Sequence, residues 1–121
     1  MKKTEFNISI YDWNVTFLEE VEKKDVPKLR AILKKLEVSP DHIKEIIEEV
    51  KDNPVNAGFH IFYTGKRRSI ILLIGISDDI SRRSILSHEK RHLEDKIIEY
   101  CGLECKESMA YLSGEIAKYL Y

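Results

Sequence analysis

The residues Ser87-His88-Glu89-Lys90-Arg91-His92 set two histidines four apart with a carboxylate directly after the first, the pattern H-E-x-x-H. On an α-helix, side chains at i and i+4 project from one face about a turn apart, so His88 and His92 can chelate a single metal ion, as Zn²⁺ requires of two of its ligands. Glu89 is rotated one step round from His88. That is too far to join the chelate, but near enough to reach a water held in the metal's open position. A carboxylate in that place is a general base. The bland alternative is a solvated, charged helix face, because so short a pattern also arises by composition. The setting favours the metal site: the pattern follows an apolar strand-like run, falls in the middle of a helix, and precedes a glycine stop and a second helix bearing carboxylates.

A catalytic zinc normally keeps three protein ligands and one open position, so the two histidines need a partner from elsewhere. Glu107 and Glu115 on the last helix are the candidates. In a plain antiparallel hairpin turning at Gly102, His92 lies roughly 13 Å from the turn. Glu115 is then the better-levelled carboxylate, and Glu107 stays near the turn. Cys101 and Cys105 open a different possibility, a closed Cys₂His₂ structural zinc with His88 and His92 that would support an interaction module and no catalysis. His92 and Cys101 are nine residues apart, about 13 Å of helical rise, so that set needs the helix to break early.

The elements that must position these residues can be followed along the chain. Phe6, Ile8 and Ile10 alternate with polar residues, and Tyr11, Trp13, Val15 and Phe17 alternate with the phase shifted by one, which predicts extended chain with a bulge or turn near Asp12-Asn14. After Phe17 the period is lost. Asp25 as cap, Pro27 and the spacing of Leu29, Ile32, Leu33 and Leu36 predict a helix over 26–37. Ser39-Pro40-Asp41 starts another, with Ile43, Ile46, Ile47 and Val50 as its apolar stripe, so the two form a helical hairpin. Residues 57–64 and 69–74 read as strands of an antiparallel hairpin turning at Gly65-Lys66, the second strand apolar enough to be buried on both faces. His60 lies in the first of them and reads as a half-exposed strand residue. Ser77-Asp78-Asp79 caps a helix over 80–101 whose stripe of Leu86, Leu93, Ile97 and Cys101 should face the sheet, with His88 and His92 bordering the core. Gly102 ends it, and Met109, Leu112, Ile116, Ala117 and Leu120 mark a last helix over 106–119.

The hairpin, then His88-Glu89-Lys90-Arg91-His92, then Glu107-Ser108-Met109-Ala110-Tyr111-Leu112, resembles the small zincin-like proteins of phages and mobile elements, in which an H-E-x-x-H helix is followed by an E-x-x-A-Y-L helix. The resemblance covers about the second half of the chain. It implies a minimal zincin-like fold and a gluzincin-type ligand set of His88, His92 and Glu107. It also implies zinc-dependent peptide or amide hydrolysis with Glu89 as general base, on a peptide or protein held against a free sheet edge. The spacing between His92 and Glu107 is shorter than that family usually has. A scaffold of this kind also survives as a binding or regulatory protein without chemistry.

At 121 residues and 43% hydrophobic content the chain makes one domain, residues 1–121, of α+β class, with a small antiparallel sheet packed against helices. Twenty basic residues against 21 acidic give no broad positive field, so nucleic acid is not an expected partner. The start of the chain has no apolar core of a secretory signal, and the longest apolar run, 70–76, is far short of a membrane span, so a cytoplasmic protein is expected. Two cysteines are too few for a disulfide framework.

Overall fold

The alternation at the start of the chain builds the first edge of a sheet. Lys2–Ile8 is strand β1 and Trp13–Val21 is strand β2, and the phase shift between them is a 3₁₀ turn at Ser9–Tyr11 closed by Asp12 in the left-handed region, φ 48°. Phe6 and Ile8 then share a face with Trp13, Val15 and Phe17. The loss of period after Phe17 does not end β2. Leu18 faces away from Phe17 by ordinary alternation; the pairing register then slips between Leu18 and Val21, with Glu20 at φ 56°, and this irregularity brings Val21 onto the face of Leu18, where both are buried. A bulge adds a residue and inverts the alternation, so a single period cannot follow the strand through it.

Helices α1 (Val26–Lys35) and α2 (Pro40–Lys51) follow, then strands β3 (Ala57–Tyr63) and β4 (Arg68–Ile74), then helices α3 (Asp79–Cys101) and α4 (Lys106–Leu120). The computed structural model describes residues 1–63 and 66–121, so Thr64 and Gly65, on which the end of the expected strand and its turn fall, lie outside the described residues. The sheet has the order β1-β2-β4-β3. β1 pairs antiparallel with β2, and β3 antiparallel with β4, but β2 and β4 run parallel. The wholly antiparallel sheet expected from the sequence is therefore corrected to a mixed one. The hairpin enters the sheet by its second strand, next to β2, and the helical crossover α1-α2 returns the chain to the same end of the sheet. This leaves β3 as an edge strand.

Two layers of helix cover the two faces. On one, Trp13, Val15, Phe17, Ile71 and Leu73 pack against Leu86, Leu93 and Ile97 of α3 and Leu112, Ile116 and Leu120 of α4. On the other, Leu18, Val21, Ile70, Leu72 and Ile74 pack against α1 and α2 through residues such as Leu29, Leu33, Ile43 and Ile47. β4 lies between both layers, and Ile70 to Ile74 are all buried, as a strand covered on both faces demands.

The helix ends follow their capping residues. Ser39 accepts from the His42 amide at 3.3 Å, and Asp78 accepts from the Ser81 amide at 2.7 Å with Asp79 in the first turn, where a negative charge suits the helix dipole. Asp25 makes no side-chain cap bond to α1. It closes the 3₁₀ turn Lys23–Asp25 by accepting from the Glu22 amide at 2.9 Å and lies 3.4 Å from the terminal amine of Met1. Gly102 takes φ 66° and ends α3, and the Leu103 amide donates back to the Ile98 carbonyl at 3.0 Å.

Candidate metal centre

α3 is the frame of the site. It runs unbroken from Asp79 to Cys101, with Leu86, Leu93 and Ile97 fully buried along one stripe. His88 and His92 lie beside that stripe and are exposed. Their Nε2 atoms are 3.0 Å apart and their rings are nearly perpendicular, at 86°. Two nitrogens held about 2.1 Å from one zinc at the tetrahedral angle stand about 3.4 Å apart. At 3.0 Å the two Nε2 atoms stand within hydrogen-bond distance of each other, a few tenths of an ångström closer than a shared zinc would hold them.

Glu89 turns the other way, into the seam between α3 and β3, and is only 5% exposed. Burial raises its carboxyl above the usual range, opposed by the charges of His92 and His88. What makes room for it is Gly58 of β3. A Cβ at Gly58 would stand 3.0 Å from both Cγ and Oε1 of Glu89 and 2.6 Å from Cγ2 of Ile85. A glycine is required there by close approach, and it lets the edge strand run directly past the carboxylate.

β3 alternation puts His60 and Phe62 on the same face as Gly58. The His60 ring is 6.5 Å from that of His92 and nearly parallel to it. Its Nε2 is 3.0 Å from Ser69 Oγ, which also accepts from Trp13 Nε1 at 3.0 Å. Desolvation, with the charges of His92 and Lys96 added, pushes the His60 imidazole down to about 4, so the ring is neutral at physiological pH. His60 is a half-exposed strand residue, as expected, and its bond to Ser69 fixes it in the wall beside the pair. The period-2 alternation marks its face, but only the packing of α3 against β3 shows what that face meets.

The α4 side behaves differently. Lys90 donates to Ser113 Oγ at 2.8 Å and is ion-paired with Glu94, while Ser87 Oγ is 2.5 Å from the Tyr121 hydroxyl. At 3.6 residues per turn, Lys90 lies roughly 160° round α3 from both histidines. α4 thus docks on the flank turned away from them. Glu107 stands in the exposed first turn of α4, and Glu115 is ion-paired with Lys118 at 2.6 Å. Among the described residues, no three His, Cys, Asp or Glu side chains gather where they could hold a metal ion. The structure brings His88 and His92 together and buries Glu89 against β3, but brings neither Glu107 nor Glu115 to the pair.

Cys101 and Cys105 likewise remain apart from the histidines. Because α3 does not break early, the roughly 13 Å of rise between His92 and Cys101 stays intact. Both cysteines are free thiols. Among the described residues, no helix is long and apolar enough to cross a membrane. Comparison with family models, with curated proteins and with solved structures finds no match for this chain.

Proposed function

We propose that the protein is a zinc-dependent hydrolase of peptide or amide bonds, with His88 and His92 as metal ligands and Glu89 as general base. The observation that carries this reading is the 3.0 Å between the two Nε2 atoms, both reachable from solvent, with a buried carboxylate on the next residue of the same helix. Zinc bound there would supply Lewis acidity toward a carbonyl and an acidified water. The chain's own residues then have defined tasks. Glu89 takes and returns the proton, held in place by α3 on one side and by the Gly58 backbone on the other. β3, an edge strand, offers its unpaired backbone groups to an extended peptide beside that carboxylate. His60, bonded to Ser69, stiffens the wall next to His92. Glu107 as third ligand, which the family resemblance implies, requires the start of α4 to move onto the histidine flank of α3.

A second reading has one observation in its favour. With no third side chain gathered at the histidines among the described residues, the same scaffold suits a regulatory or partner-binding protein without chemistry. Mass spectrometry of a peptide library incubated with zinc-loaded protein separates the two. The hydrolase reading expects cleavage in the native protein and its loss in Glu89→Gln with the zinc retained. Cleavage that persists in Glu89→Gln, or none at any zinc loading, would refute it.

A further inference from the structure

Ser69 is the one polar side chain among the buried residues of β4, where Ile70 to Ile74 are all apolar. A hydroxyl enclosed in this way is costly unless it is hydrogen-bonded, and it has two partners. Trp13 Nε1 donates to Ser69 Oγ at 3.0 Å, and His60 Nε2 lies 3.0 Å from the same oxygen. An indole only donates, so Ser69 accepts from it, and the second lone pair of the hydroxyl can take the Nε2 proton of His60. In that tautomer Nδ1 is the ring nitrogen left with a free lone pair. The His60 ring is half-buried, 6.5 Å from that of His92 and within 9° of parallel to it.

We infer that His60 is the third ligand of the zinc site, binding through Nδ1 while Ser69 and Trp13 hold the other ring nitrogen. The inference rests on the metal reading of His88 and His92. A zinc with an open position takes three protein ligands, and the carboxylates of α4 stand away from the pair. A ligating imidazole is normally fixed by a hydrogen bond from its second nitrogen. Among the described residues, His60 is the one histidine whose ring is bonded to a buried side chain. Two imidazoles sharing a zinc at the tetrahedral angle have ring centroids about 5.2 Å apart. The centroids of His88 and His92 are 4.6 Å apart and those of His60 and His92 6.5 Å. The first pair therefore has to open by about half an ångström and the second to close by about 1 Å. As the side chains stand the three do not converge, but the movement needed is that of a side chain, whereas Glu107 needs the start of a helix to move. His92 is exposed, and among the described residues its ring is hydrogen-bonded to His88 alone, so it is free to make the adjustment while His60 stays tied to Ser69. Three imidazoles leave the fourth tetrahedral position open.

Long-range ¹H–¹⁵N correlation spectra of the histidine rings test the assignment on the full, untagged native chain. With one equivalent of zinc, Nδ1 of His60 should move to the shift of a metal-bound nitrogen together with Nε2 of His88 and of His92. The fourth histidine, His42, exposed on α2, should keep its free-ring shifts. In titration calorimetry, Ser69→Ala should lower zinc affinity ~10-fold or more, as loss of an outer-shell partner does, and His60→Ala should lower it further. Circular dichroism of both variants checks that the fold is kept. A His60 ring that keeps its shifts while those of His88 and His92 move would overturn the assignment and leave the histidine pair standing. Unmoved shifts in all three would overturn both, and native zinc affinity in a folded His60→Ala variant would overturn the assignment alone.

Discussion

Gly58 is where edge strand and helix meet most closely, and replacing it with alanine tests whether that contact is as tight as described. The added Cβ would be 2.6 Å from Ile85 Cγ2 and 3.0 Å from two atoms of Glu89. The first distance lies well inside van der Waals contact, and Ile85 is branched at Cβ and held by its own helix, so it cannot swing aside freely. Forcing a methyl group into such a seam costs about 1–3 kcal/mol. Alanine also restricts the unfolded chain, which returns up to about 1 kcal/mol. The net expectation is a loss of about 1–2 kcal/mol. With a urea dependence near 2 kcal/mol per molar, the unfolding midpoint falls by about 0.7 M at unchanged slope. Ile85→Ala removes the closest atom, so Gly58→Ala should cost distinctly less in that background, a coupling of about 1 kcal/mol in a double-mutant cycle. A Gly58→Ala midpoint equal to or above that of the native protein, or full additivity with Ile85→Ala, would refute the close approach and the placement of Glu89 against β3.

Gly75 and Gly102 share a left-handed backbone, φ 65° and 66°, but a Cβ at Gly75 would meet the Pro54 carbonyl oxygen at 1.9 Å while one at Gly102 meets nothing within 4 Å. Urea unfolding should therefore show Gly102→Ala losing about 1 kcal/mol and Gly75→Ala at least twice that. The Lys90–Glu94 pair is largely buried, with side chains 13% and 9% exposed. Lys90→Ala should cost about 2–4 kcal/mol by stranding Glu94, and Lys90→Met with Glu94→Leu should recover most of it, as thermal unfolding would show. Asp78 is held below the usual carboxylate range chiefly by the Ser81 amide. A depressed folded value means its stabilisation is complete above the unfolded pKa and fades as pH falls through the folded one. Acid unfolding of Asp78→Asn should accordingly show a flatter pH dependence in that range than the native protein.

Much of this was legible in the sequence, and particular residues show why the rest was not. The helices were written in their caps: Ser39, Asp78 and Gly102 each act locally, through bonds to amides and carbonyls a few residues away. The histidine pair was equally local, set by the spacing of one helix. What escaped depended on packing between elements. The parallel β2–β4 pairing and the continuation of β2 past Phe17 follow from a bulge and a crossover, neither of which leaves a period in the chain. Motif and level along the hairpin point to Glu107 and Glu115, but α4 docks through Leu112, Ile116 and Leu120 on the flank of α3 that carries Lys90, whose ammonium donates to Ser113 Oγ. The bond of His60 to Ser69 needs the β3–β4 register, and its approach to His92 exists only once α3 lies over β3.

Isothermal titration of the metal-free, untagged chain with zinc shows whether His88 and His92 share a metal ion. The proposed site requires saturable, equimolar binding that is retained in Glu89→Gln and in Cys101→Ser with Cys105→Ser, and is lost in His88→Ala and in His92→Ala. Heats of dilution alone, or an affinity that either histidine can leave without effect, would contradict it.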